Sequence, residues 1–221
     1  MIVITGASDG LGLEVAKVYK QAGKTVVNVS RRGSPCADYN ILHNLQKGEE
    51  ILLAAKEISE IDEKLDAIIN CVGVWSEEPI GSITEAEIKR LMATNAKSSI
   101  LLTSELLDRI KLDSADVLNV ISTAGLKGNS HHAVYVASKW AQRGYTLSLQ
   151  DELKDTNCRV VSFCPGGIKT KLFEKNLGED ITEDETTWMN PSDLAQFIKQ
   201  ILDLPKSIEV SEVVMNRKKN S

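Results

Sequence analysis

Apolar positions along this 221-residue chain follow two spacings. Short unbroken apolar runs read as strands, and apolar residues recurring every three or four positions read as helices. The runs fall at residues 2–4, 25–29, 65–72, 117–121 and 159–164, with a less apolar one at 39–43 and a closing edge strand at 209–215. After the first run, Leu13, Val15, Ala16, Val18 and Tyr19 share a helix face; after the run at 39–43, Ile51, Leu52, Ala55 and Ile58 do the same. Residues 85–110 read as one long amphipathic stretch with Ile88, Leu91, Met92, Leu102, Leu106 and Ile110 along its buried side. Thr84 and Glu87 form a capping box at its start. Another helix begins near Ala133, and Asn190-Pro191-Ser192 caps a last one that runs to Leu202. Alternating strands and helices predict the α/β class, with a doubly wound parallel sheet and helices on both faces. The length suits one domain over residues 1–221. Such sheets bind ligands beyond the carboxyl ends of their strands, where this sequence places Ser30, Gly73, Ser122 and Pro165.

The first run leads into Gly6, Gly10 and Gly12 and then directly into a helix. Glycines let the backbone turn tightly and approach a ligand without Cβ clashes. A helix start adds unbonded N–H groups and the positive dipole end, which suit a pyrophosphate. At the end of the second strand, an NAD site needs an acidic residue to bond the ribose 2′-hydroxyl. Ser30 stands there instead, followed by Arg31 and Arg32. Two guanidinium groups suit a 2′-phosphate, so the chain is expected to prefer NADP(H).

The helix that begins near Ala133 carries Tyr135 and Lys139, whose i,i+4 spacing puts phenol and ammonium on one face. A phenol with a pKa of about 10 is a poor acid–base at neutral pH, and a neighbouring ammonium is expected to lower that value. Ser122 follows the fifth strand and can donate to a developing oxyanion. Asn95 falls on the apolar side of the long stretch, where a buried amide satisfied by backbone is the simplest reading.

The glycine spacing is G-x-x-x-G-x-G, which departs from the dinucleotide fingerprint G-x-G-x-x-G and keeps its mechanics. With Thr5 before it, Asn70 and Gly73, Asn95, Ser122, Tyr135-x-x-x-Lys139, and Pro165-Gly166 with Thr170, the chain resembles the short-chain dehydrogenase/reductase family over nearly its whole length. The resemblance implies a single Rossmann-like domain and an oxidoreductase that interconverts a carbonyl and a secondary alcohol. It implies Tyr135 as acid–base, Ser122 as carbonyl stabiliser, Lys139 as pKa tuner and ribose ligand, and Asn95 as anchor of a water linked to that lysine. For the cofactor it implies contacts from Ser8, Asp9 and Leu11 in the glycine turn, from Asn44 and Leu45, from Asn70 and Gly73, and from Pro165, Gly166, Ile168 and Thr170. Asn44 replaces the Asp of the family's Asp-Leu pair, and Cys71-Val72 replace the middle of its Asn-Asn-Ala-Gly. Homodimers or homotetramers are usual for the family, through the two long helices. A catalytically silent NADP(H)-binding regulator and a sugar-nucleotide epimerase are the alternatives. The retained Ser122, Tyr135 and Lys139 disfavour the first, and the short chain disfavours the second.

Bulk properties narrow the picture further. A net charge of −5 argues against nucleic acid as a partner. No apolar run is long enough to span a membrane, and no secretory signal is visible, so a cytoplasmic location is expected. Cys36, Cys71, Cys158 and Cys164 form no C-x-x-C pair and read as free thiols. The adjacent His131-His132 pair cannot face one ion from a regular helix, so no metal is expected. Residues 168–190 read as a substrate lid, acidic at Glu179, Asp180, Glu183, Asp184 and Glu185. Trp75, His131, His132 and Trp188 are candidates for the pocket wall, and the basic tail from Arg217 reads as a solvated end.

Overall fold

The structure, a computed structural model, describes residues 1–170 and 188–218. Seven parallel strands form one sheet in the order β3-β2-β1-β4-β5-β6-β7. The chain runs β1 (Ile2–Thr5), α1 (Gly10–Gln21), β2 (Val26–Ser30), β3 (Tyr39–Leu42), α2 (Gly48–Ser59) and β4 (Ala67–Asn70). It continues through α3 (Glu85–Leu91), α4 (Ser98–Glu105), α5 (Leu107–Asp113), β5 (Asp116–Val120) and α6 (Ala133–Leu153). It closes with β6 (Val160–Pro165), α7 (Pro191–Leu202) and β7 (Glu212–Met215).

Alternate residues of the central strands serve opposite faces. Val3, Ile68 and Val117 point to a layer that includes Ile51 and Ile58 of α2, Leu102 of α4, Ile110 of α5 and Leu149 of α6. Ile4, Ile69 and Phe163 point to the other layer, with Val15 and Ala16 of α1 and Leu194 and Ile198 of α7. Burying one such aliphatic side chain is worth about 1.5–3 kcal/mol, so both layers are held by many comparable contacts. The sheet matches the α/β doubly wound class expected from the alternating pattern.

Two patterns resolve differently from their sequence reading. Residues 85–110 are not one helix: a π-helical turn, Met92–Lys97, separates α3 from α4. Its wider turn shifts the angular phase, so Ile88 is 44% exposed while Leu91, Leu102, Leu106 and Ile110 are buried. In α2, Leu52 faces out and Ala54 is buried in its stead. At the start of α3, Thr84 Oγ1 accepts from Glu87 N at 3.2 Å, but the Glu87 carboxylate turns to Arg90 Nε at 2.8 Å, so only half of the expected box forms. The start of α7 is as expected, with Asn190 Oδ1 accepting from Ser192 N at 3.2 Å.

A buried ion cluster fixes the approach to β7. Asp116 at the start of β5 pairs with Arg159 Nη2 and Lys206 Nζ, each at 2.6 Å. Arg159 also donates to Leu202 O and Leu204 O, each at 2.8 Å. The segment after α7 is thereby tied to the amino ends of β5 and β6, and β7 then runs alongside β6.

Candidate active site

A cleft of about 800 Å³ opens beyond the carboxyl ends of the strands. That volume lies in the usual range for ligand and cofactor sites. Ser30, Gly73, Ser122 and Pro165, singled out as strand-end positions, all line it.

The glycine turn joins β1 to α1. Gly6 has φ +76°, a left-handed conformation, and a Cβ there would lie 3.2 Å from Val72 Cα. Gly12 is excluded from change by contact: its Cβ would fall 2.8 Å from the Gly6 carbonyl carbon and nearer still to the oxygen. Asp9 caps α1, its Oδ1 accepting from Gly10 N at 2.9 Å. Thr5 Oγ1 accepts from Cys71 N at 3.1 Å and Val72 N at 3.2 Å, which ties the turn to the end of β4. Ser8, Asp9, Gly10, Leu11 and Gly12 line the cleft in sequence. Thr170 closes over them, its Cγ2 lying 3.4 Å from where a Cβ of Gly10 would be.

One end of the cleft is formed by Ser30, Arg31, Arg32, Asn44 and Leu45. Ser30 Oγ donates to Arg32 O at 2.6 Å, shaping the loop after β2. Arg32 Nη2 lies 3.3 Å from Asp9 Oδ2. Asn44 Oδ1 accepts from Gln46 N at 3.1 Å, and Leu45 is buried against the core. A glycine cradle at a helix start, with two exposed arginines one strand away, fits a phosphate-bearing dinucleotide.

The other end carries the three side chains expected from the sequence to be reactive. Tyr135 and Lys139 are buried on the same side of α6 and line the cleft with Ser122. Ser122 Oγ accepts from Ala124 N at 3.1 Å. Burial pushes the Tyr135 phenol above its ordinary value, and a hydrogen bond with Ser122 opposes that shift. This corrects the expectation that Lys139 lowers the phenol: here burial dominates. The same burial lowers Lys139 to about 8, while the neighbouring Cys164 and Cys71 thiols act weakly the other way. Lys139 Nζ donates to Val120 O at 3.1 Å and Gln142 Oε1 at 2.9 Å. Burial also pushes Cys71 up to about 12 and Cys164 up to about 11, so both thiols stay protonated near neutral pH.

Two predicted site residues lie behind the cleft wall instead of on it. Asn95, in the π-helical turn, is fully buried; its Oδ1 accepts from Val74 N at 2.7 Å and its Nδ2 donates to Val74 O and Ser138 Oγ, each at 2.9 Å. It clamps the loop after β4 against α6, as the core-amide reading expects. Its Oδ1 lies 3.5 Å from where a Cβ of Gly73 would be, and Lys139 Nζ lies 3.7 Å from the same point. Asn70 is 1% exposed and donates to Asn119 Oδ1 at 2.8 Å, so its amide bridges β4 to β5 and does not reach the cleft. All the other predicted cofactor contacts, Gly73, Pro165, Gly166, Ile168 and Thr170 included, line it.

Trp75, His132 and Trp188 line the cleft as proposed, with the Trp75 and His132 rings 5.2 Å apart. His131 does not line it. The sequence reading missed Gln142, although its place three residues after Lys139 on the buried face was a usable signal. The tail reading holds in that Arg217 and Lys218 are exposed, but it did not foresee that Arg217 lines the cleft and stacks over Trp188 at 5.2 Å. The acidic part of the expected lid, residues 179–185, lies outside the described residues. Among the described residues no His, Cys, Asp or Glu cluster suits a metal ion, and no helix is long and apolar enough to cross a membrane. The four cysteines are free.

Comparisons with known proteins agree with this geometry. A profile of the family described as short chain dehydrogenase matches residues 1–180. A Listeria monocytogenes protein named as an uncharacterized oxidoreductase is 26% identical, covering 96% of this chain and 94% of its own. A short-chain dehydrogenase/reductase from Pyricularia oryzae is 28% identical over 78% of this chain and 70% of its own. Among solved structures, a short-chain dehydrogenase/reductase from Vibrio parahaemolyticus superposes with a TM-score of 0.85 at 27% identity, covering 99% of this chain and 100% of that one. The closed form of a serine dehydrogenase complexed with NADP+ has the same fold, with a TM-score of 0.86 at 22% identity over 97% of this chain and 94% of that one.

Proposed function

This chain belongs to the short-chain dehydrogenase family of oxidoreductases, and we propose that it interconverts a carbonyl and a secondary alcohol with NADP(H). The observation that carries the reading is the meeting of Ser122, Tyr135 and Lys139 in the cleft that also holds the glycine turn. A bound nicotinamide cofactor supplies the hydride chemistry. Tyr135 gives its hydroxyl proton to the developing alkoxide during reduction and takes it back during oxidation. Burial favours the protonated phenol, which is the form that reduction needs. Ser122 donates to the carbonyl oxygen as charge develops on it. Lys139, with a pKa of about 8, is charged at neutral pH. Its ammonium has three donors, and its bonds to Val120 and Gln142 hold it in place beside Gly73.

Preference for NADP(H) is supported by the end of β2, where Ser30 replaces an acidic residue and Arg31 and Arg32 are exposed at the cleft. Two arginines suit a 2′-phosphate, and a serine leaves the ribose hydroxyl of NAD without its usual acceptor. The same reading includes self-association through α6, whose Trp140 and Leu147 are exposed; a monomer in sedimentation would remove that part alone.

The experiment is a panel of carbonyl compounds and secondary alcohols, each offered with NADPH or NADP+ and with NADH or NAD+, followed by absorbance of the reduced cofactor. Turnover of at least one compound, faster with the phosphorylated cofactor, is expected. Tight NADPH binding with no turnover across a wide panel would overturn the enzymatic reading.

A further inference from the structure

We propose that Gln142 is a positioning residue of the reaction: its buried amide oxygen holds the Lys139 ammonium at the cleft and keeps it charged near neutral pH. The inference rests on the oxidoreductase reading above and deepens it, by naming what sets the upper pH limit of carbonyl reduction.

Helix α6 turns one face to the sheet, and such a face is ordinarily apolar. Leu149 and Leu153 follow that rule. Nearer the cleft the same helix buries Ser138, Lys139, Gln142 and Thr146, with Gln142 only 1% exposed. A buried amide without partners costs stability, so a glutamine fits there only with its polar atoms engaged. Gln142 stands behind the cleft wall and not on it, so it acts through a neighbour. That neighbour is Lys139, one turn back, whose Nζ donates to Gln142 Oε1 at 2.9 Å.

Helix and sheet together fix this contact. Thr146 Oγ1 donates to Gln142 O at 2.8 Å and accepts from Asn119 Nδ2 at 2.9 Å, which ties this turn of α6 to β5. One residue further along β5, Val120 O accepts from Lys139 Nζ at 3.1 Å. The lysine is thus held between a backbone carbonyl and a side-chain carbonyl, and only the second can be removed by substitution. An ammonium has donors alone, so the Gln142 amide turns its oxygen to it. Hydrogen bonds from an ionised donor are about twice as strong as neutral ones. The amide oxygen therefore favours the charged lysine over the neutral amine.

The surrounding groups leave that role to Gln142. Burial pulls Lys139 down to about 8, so a modest loss of support for its charge decides its state near neutral pH. Cys164 and Cys71, which act on the lysine, stay protonated, pushed up by burial to about 11 and about 12. Tyr135, one turn before Lys139 on α6, is raised by burial and stays protonated too. Glu212 and Arg143 bear on Cys164 and are paired with each other at 2.7 Å. Ser122 and Asn95 carry no charge. Support for the ammonium thus comes from two neutral oxygens, those of Val120 and Gln142.

The test follows reduction of the best compound from the substrate panel by the full chain with NADPH, from about pH 6 to about pH 9.5, below the tyrosine range. Reduction needs a protonated Tyr135 and a charged Lys139, so its alkaline limb reports the lysine. Gln142→Met keeps the length of the side chain and removes the acceptor. It moves that limb down by about one pH unit, the difference between a charge-assisted and a neutral hydrogen bond. Gln142→Glu keeps an acceptor oxygen and adds an anion, and it moves the limb up. Carbon NMR of protein labelled at lysine Cε reads the same quantity without turnover. Lys139 is the resonance missing from Lys139→Met, and its midpoint in the unmodified protein is about 8. The midpoint falls by about one unit in Gln142→Met and rises in Gln142→Glu. An equal fall in turnover at every pH, or an unchanged midpoint in Gln142→Met, would overturn the proposal and leave Gln142 a packing residue. Should Gln142→Met not fold, Gln142→Glu decides: a raised midpoint supports the proposal, and one that stays or falls overturns it. Should no compound turn over, the oxidoreductase reading fails separately, and the NMR midpoints decide the role of Gln142.

Discussion

Replacing Lys139 with methionine separates the electrostatic cost of the site from its packing. The lysine is 4% exposed, and burial lowers its pKa from the ordinary 10.5 to about 8. The unfolded chain holds that proton to about 10.5, while the folded chain releases it near 8. Between those values the unfolded state binds more protons, so raising the pH stabilises the fold. The difference corresponds to about 3 kcal/mol across the window, of which about 2 kcal/mol is gained below pH ~9.5. Lys139→Met removes the titrating group and with it the whole increment. The variant also leaves Val120 O and Gln142 Oε1 without their donor, at about 1–3 kcal/mol each, but that loss does not change with pH. Urea unfolding at a series of pH values from about 7.5 to 9.5, below the tyrosine range, reads the difference directly. The native protein is expected to gain about 2 kcal/mol relative to the variant over this range. Parallel stability curves for the two proteins would refute the claim that the fold holds this lysine at a desolvation penalty.

The remaining predictions concern the cofactor end. Arg31→Ala is expected to weaken NADPH about tenfold or more and to leave NADH nearly unchanged, because a hydrogen bond to a charged group is worth about 1.5–3 kcal/mol; calorimetry with both cofactors measures it, and tighter NADH than NADPH binding by the native protein would contradict it. Gly12→Val places a Cβ 2.8 Å from the Gly6 carbonyl carbon, so the turn must move and cofactor binding is expected to be lost while much of the helical circular dichroism remains. Unchanged affinity in that variant would mean that the turn serves packing alone.

The strand–glycine–helix start was legible because Gly6, Gly10 and Gly12 have few conformational substitutes, and the sheet was legible because its apolar runs are short and separated. Tyr135, Lys139 and Ser122 were found through their order along the chain, and the parallel sheet brings those strand ends and the start of α6 to one cleft. The break at Met92–Lys97 was not legible, because a π-helical turn changes the angle per residue without changing the composition. That change turned Ile88 outward. Asn70 was misplaced because a residue one position before a cleft loop still points into the sheet, where Asn119 meets it at 2.8 Å. The shift of Tyr135 was misread because the lysine's charge is visible in the sequence and the desolvation around the phenol is not. Arg217 was passed over because a basic tail gives no sign that β7 will run beside β6 and deliver it to Trp188.

The central claim is that Tyr135 is the acid–base of a carbonyl/alcohol oxidoreductase, and Tyr135→Phe tests it most directly. The change removes one hydroxyl and keeps the buried ring, so the fold and NADPH affinity are expected to persist. Turnover of the best compound from the substrate panel, at fixed pH, is expected to fall by about 10²–10⁴-fold, the usual contribution of general acid–base catalysis. Lys139→Met, measured alongside, is expected to lose cofactor affinity as well as turnover, which distinguishes the two roles. Near-full turnover by the Tyr135→Phe protein would contradict the account.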